Sequence, residues 1–350
     1  MVKSTKFNLN DQDRTVFQLP ESPEPNIQLC NNAIHKGYRF RAVGSKVYTR
    51  PINETFHEFI IGCYLLGLYG EKWRQEQMKL AENKRHVLIE WVNSWREFKS
   101  SLHDDKHKIK EHLYAAPPSG KVKALMQFAY DIFCLEAINK LPDFWKARIK
   151  NNKEFQGARY EIAVAAILAR AGFEITFLDE QAIKTKHCEM FAKHKKIPEE
   201  IAVEVKSRHR KGVLNENGAM SDIETTKGDV EKLIKDACSQ KPGNVPFFIF
   251  VDVNVNPIIE QLPLKEKQWV KDVKTMLSRY GEPTSEKPTP FNSLIFTNFA
   301  YYYGGELEEA PSGEVYMENS PFPEVQCSHP EIFDEIWKSL TMYAEIPNEV

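Results

Sequence analysis

Residues 158–172, ARYEIAVAAILARAG, are apolar on almost every face of a helix except at Glu161, and the run closes on Gly172. A segment of that pattern predicts a buried helix ended by a C-terminal glycine. Its one carboxylate needs a partner, because burying an unpaired charge is costly. Downstream, residues 201–206 read IAVEVK: strong strand formers around an acid and a lysine two positions apart. Strand side chains alternate, so Glu204 and Lys206 share one face while Val203 and Val205 point into a core. The same acid-x-lysine pattern at Glu82/Lys84, Asp104/Lys106 and Asp272/Lys274 lies in polar, helix-like sequence, where it reads as surface charge.

Between helix and strand, residues 173–178 and 187–192 each predict a strand, joined by a lysine-rich, proline-containing segment to Glu200. After the Glu204 strand come a predicted helix at 229–238 and an apolar strand at 245–253. With Glu161 on the helix, Glu189 on the second strand, and Glu204 and Lys206 on the third, this order resembles the PD-(D/E)xK phosphodiesterase superfamily. That is the fold of many restriction enzymes and recombination nucleases. The likeness covers roughly residues 153 to 255. At the second-strand position the family usually has aspartate, often after proline; here Glu189 follows Cys188, and Asp179 and Glu180 are rival candidates.

The resemblance implies an α/β fold of mixed α+β type: a restriction-endonuclease-like core with a central mixed sheet flanked by helices. It implies an Mg2+-dependent phosphodiesterase, an endonuclease in preference, with Mn2+ as substitute and DNA as the favoured substrate. Glu189, Glu204 and the Val205 carbonyl would ligate the metal, with Glu161 behind it, and Lys206 would orient water or stabilise phosphoryl charge. Arg208, Arg210 and Lys211 directly after this strand, and Lys232 on the next helix, are the substrate-binding candidates. A restriction or anti-phage effector fits the resemblance, with a homodimer or an activating protein partner compatible with it. The other class of reading is an inactive nuclease-fold module that binds nucleic acid or a protein.

A net charge of −2 gives no global drive toward polyanions, so nucleic-acid binding must rest on local basic patches. The six cysteines form no CxxC pair or dense framework, and no apolar run of membrane-spanning length is seen; a cytoplasmic protein without a membrane partner is expected. Residues 1–150 read as a mainly helical N-terminal domain, with a basic hairpin near 37–50 carrying Arg39, Arg41, Lys46 and Arg50. Residues 151–305 read as the nuclease-like domain, and 306–350 as an acidic tail ending in a helix.

Overall fold

The computed structural model describes residues 4–6, 15–18, 31–44, 46–102, 107–110, 113–138, 141–178, 188–215, 226–256, 262–304 and 312–347. Asp179, Glu180 and the predicted strand start at 187 lie outside them. The chain begins with β1 (Ser4–Lys6), β2 (Thr15–Gln18), β3 (Asn31–His35), β4 (Tyr38–Val43) and β5 (Lys46–Pro51), which form one antiparallel sheet in the order β1-β2-β5-β4-β3. The predicted hairpin is its β4–β5 pair, but its cations do not form a free basic face. Arg41 is fully buried over the rings of Phe56 and Phe59, and Arg50 pairs with Glu54.

Helices follow: α1 (Phe56–Phe59), α2 (Gly67–Tyr69), α3 (Glu71–Met78), α4 (Val87–Ser101), and, after the short strands β6 (Lys108–Lys110) and β7 (Leu113–Tyr114), α5 (Gly120–Ala137) and α6 (Asp143–Arg148). A turn of π-helix, Ile60–Leu66, joins α1 to α2. The long apolar helix is α7 (Asn152–Arg170); Asn151 caps it by accepting the Lys153 N–H. Then come β8 (Phe173–Phe177), β9 (Met190–His194), β10 (Glu200–Ser207), α8 (Thr226–Cys238), β11 (Phe247–Asp252), α9 (Gln268–Leu277), β12 (Ser293–Asn298), β13 (Glu314–Asn319) and α10 (Glu331–Thr341).

These strands form a six-stranded mixed sheet, ordered β13-β12-β11-β10-β9-β8, with β10, β11 and β12 parallel and the outer pairings antiparallel. Strands β11 and β12 are buried along their whole length, as parallel strands between two helical layers must be. One face, with Val203, Val205, Phe248, Phe250 and Ile295, packs under α7, and α5 and α10 belong to the same core. Ala202, Phe247, Ile249, Val251, Leu294 and Phe296 face α8 and α9 on the other side.

Two expected boundaries are absent. The first core runs unbroken from Val43 through α5 into α7 and α10, so position 150 does not divide it. Residues beyond 305 are no appendage either: β13 supplies the sixth strand, and α10 anchors on α7, where the Ser339 hydroxyl donates to the Ile167 carbonyl.

Gly172 ends α7 at φ +91, and a Cβ there would stand 2.9 Å from His194 Nε2. Gly172→Ala is therefore expected to destabilise the fold by at least about 1–2 kcal/mol, read as a lowered midpoint in urea unfolding. An unchanged midpoint would remove this turn as the constraint on the α7–β8 junction.

Candidate active site

Strand β10 outruns its neighbour. Its ladder with β9 ends at the Val203–Met190 pair, whereas pairing with β11 continues to Ser207–Asp252. The N–H groups of Ala202 and Arg208 donate to Pro246 and Asp252 on the β11 side, at 2.8 and 3.0 Å. Backbone groups alternate sides along a strand, so the Val205 carbonyl points the other way, into the notch beyond the end of β9. The chain bends at Glu189, one residue beyond the β9–β10 ladder, where its N–H lies close to the Glu204 carboxylate.

Glu204 is fully buried, and its carboxylate is met by the Lys206 ammonium and the Glu189 N–H. The Lys206 ammonium lies against Oε1 as an ion pair, its side chain 19% exposed. Burial pushes the Glu204 carboxyl up to about 7; the Glu161 charge adds to the shift, while Lys206 and the nearby Glu189 N–H oppose it. The neighbouring Cys188 thiol is pushed up to about 12 by burial and by both Glu204 and Glu189. The strand thus brings Glu189, Glu204, Lys206 and the Val205 carbonyl to one place, with Glu161 within electrostatic reach.

Glu161 has found the partner its buried helix required. Both its oxygens accept from the Arg148 guanidinium, at 2.8 Å each, and Arg148 stacks 4.4 Å over the Trp145 ring. Arg148 carries no motif in the sequence; its position follows from the short helix α6 folding back on α7. Exposed His209 belongs to this edge as well, since a Cβ on Gly157 would meet its Nε2 at 3.2 Å and Glu161 Oε1 at 3.6 Å.

The basic run after β10 divides. Buried and exposed positions alternate from 208 to 211, continuing the strand period. Arg208 and Arg210, expected to face substrate, are buried: Arg208 pairs with Asp229 at 2.8 Å, and Arg210 donates to the Tyr303 hydroxyl at 2.7 Å. Their place inside follows from those partners, which lie far off in the sequence. Lys211 and Lys232 are exposed.

Among the described residues, no three His, Cys, Asp or Glu side chains are arranged to hold a metal ion. Glu161 is drawn onto Arg148. Yet Mg2+ commonly takes one or two carboxylates and keeps several waters. Buried Glu204, with its raised carboxyl, fits that role together with Glu189 and the Val205 carbonyl. Among the described residues no helix is long and apolar enough to cross a membrane. Comparison of the chain with models of known families, with characterised proteins and with solved structures found no match.

Proposed function

We propose that the chain is a divalent-metal-dependent phosphodiesterase that cleaves nucleic acid, DNA in preference, as the resemblance to PD-(D/E)xK nucleases implies. One observation carries the reading: a fully buried glutamate whose carboxyl burial pushes up to about 7, against a lysine ammonium and the N–H of a second glutamate, at the notch where one strand outruns another. A carboxylate so placed is unfavourable in the metal-free fold and gains from a cation. Bound there by Glu189, Glu204 and the Val205 carbonyl, Mg2+ would supply charge neutralisation at the phosphate and acidify a water. Lys206 would be the group placed to hydrogen-bond a phosphoryl oxygen or the attacking water. Arg148 sets the charge at the Glu161 edge. A restriction or antiviral role rests on the resemblance alone.

The test is cleavage of single-stranded DNA, duplex DNA and RNA in Mg2+, Mn2+ and EDTA. Cutting that requires metal supports the proposal; cutting in EDTA overturns it. A pH dependence follows. The ligand is the ionised form of Glu204, which burial holds protonated up to about 7. Metal binding must release that proton, so Mn2+ affinity is expected to rise about tenfold per unit from pH 5 to 7 and to level off above it. Calorimetric titration showing a flat profile would remove Glu204 as the ligand.

A second reading has its own support. Arg148–Glu161 and Lys206–Glu204 already neutralise two carboxylates without metal, which suits a non-catalytic module binding nucleic acid or a protein. The same titration separates the two, since a self-satisfied network binds no Mn2+.

A further inference from the structure

A cleft of about 500 Å3 opens where α3, the α6–α7 junction and the segment after β10 meet. Lys84, Lys150 and Lys153 line it, with Gln77, Asn151 and Asn215 among its polar walls, and no acid contributes to the lining. None of the three lysines forms an ion pair with a described residue, whereas Lys146 pairs with Asp143 and Lys206 with Glu204. The walls are tied in place: Gln77 accepts from the His86 N–H at 2.7 Å, and Asn215 donates to the Arg85 carbonyl at 2.5 Å. Asn151 caps α7, so the positive end of a 19-residue helix faces the same region. The cleft therefore offers fixed hydrogen-bonding groups and three lysines without an ion-pair partner among the described residues, the adjacent Glu154 accepting from Asn151 and pairing with Arg148, in a chain whose net charge is −2.

Its place relative to the candidate site gives it a role. Glu161 lies nine residues along α7 from Asn152, a rise of about 14 Å. At about 3.4 Å per phosphate along the axis of a helical strand, that is some four nucleotide steps. Arg148 stands between: it is two residues before Lys150 and its guanidinium reaches Glu161.

We infer that the Lys84–Lys150–Lys153 cleft seats backbone phosphates of the nucleic-acid strand whose scissile phosphate lies at Glu204 and Lys206. This rests on the proposed nuclease reading and gives it a substrate-docking site. It also replaces Arg208 and Arg210, which are buried, as the source of the local basic patch that polyanion binding requires.

The test is fluorescence anisotropy of labelled single-stranded and duplex oligonucleotides in EDTA, over a range of salt, with wild type and Lys84→Ala/Lys150→Ala/Lys153→Ala. The triple variant is expected to bind at least about tenfold more weakly. Its slope of log K against log salt should be shallower by about 2 for single strands. Exposed Lys84→Glu, which leaves the packing untouched, should weaken binding in the same direction, and thermal melts by circular dichroism check both folds. Unchanged affinity and slope overturn the inference, as does wild type failing to bind either oligonucleotide. Inorganic phosphate, titrated calorimetrically, separates the sources: lysine-dependent phosphate binding with oligonucleotide binding unaffected overturns strand docking. The two proposals fail separately. Lysine-dependent binding without cleavage sinks the catalytic reading alone, whereas metal-dependent cleavage with an unchanged KM in the triple variant sinks the cleft alone.

Discussion

Glu204→Gln is expected to abolish metal-dependent cleavage and Mn2+ binding, and at the same time to make the protein more stable above pH 7. The two effects have one cause. Burial raises the folded-state carboxyl from 4.5 to about 7, so the proton on Glu204 stabilises the fold. That contribution is fully present below the unfolded value and is lost as pH rises through the folded one. Between pH 4.5 and 7 the loss amounts to about 3 kcal/mol. Glutamine resembles the neutral acid and keeps its shape, so the variant should match wild type near pH 4.5 and exceed it at pH 8. Asp131, another buried carboxyl raised to about 7, titrates in the same window, but it does so in both proteins and cancels in the comparison. Lys206→Ala is the companion: cleavage should fall by about 10²–10³-fold or more with far-ultraviolet circular dichroism unchanged.

The sign of the stability change is what distinguishes a functional site from a structural ion pair. If Lys206–Glu204 existed to hold the sheet together, removing the carboxylate would strand a partly buried ammonium and cost stability. A Glu204→Gln variant less stable than wild type at pH 8 would sink the reading of Glu204 as a strained metal ligand. A gain in stability with loss of activity is the pattern of a residue kept for chemistry.

Much of this centre was legible because strand and helix periods are short-range. The alternation in residues 201–206 placed Val203 and Val205 in one core and Glu204 with Lys206 on the opposite face, and the apolar run closed by Gly172 is α7. The order of elements from α7 to β11 also follows from such patterns. What escaped depended on partners distant in sequence. Strand β13, residues EVYMEN, reads as acidic tail because an edge strand buries little of itself and takes its form from pairing with β12. The need for a partner at Glu161 could be read, but nothing in residues 143–148 marks Arg148 as that partner, since only the folding back of α6 brings it there. Arg208 and Arg210 are a further case. Strand alternation puts both on the face of Glu204 and Lys206, and their burial comes from partners distant in sequence, Asp229 for Arg208 and the Tyr303 hydroxyl for Arg210.

Arg159→Met is expected to be the most destabilising substitution near the site, by about 3–5 kcal/mol at pH 8. Arg159 is buried and pairs with the fully buried Asp252 at 3.2 Å, with its guanidinium 5.3 Å over the Tyr302 ring. Burial already raises the Asp252 carboxyl, and Arg159 is the largest influence opposing that rise; the Asn254 N–H and the Ser207 hydroxyl give smaller help. Without Arg159 the carboxyl shifts further up, so it enters the fold protonated at low pH and as an uncompensated charge at high pH. The loss should therefore grow with pH, by up to about 1.4 kcal/mol per unit while only the folded form stays protonated. Asp252→Asn in the Arg159→Met background should restore much of the stability at pH 8, a coupling that a double-mutant cycle in urea reads directly. Equal losses at pH 5 and 8, or strict additivity, would show that Arg159 acts through packing rather than through Asp252. The pair matters to the site because Arg159 lies two residues before Glu161, and its bond to the end of β11 fixes the turn of α7 that carries Glu161. Cleavage by Arg159→Met should accordingly fall even where the protein remains folded, and recover with stability in the double variant.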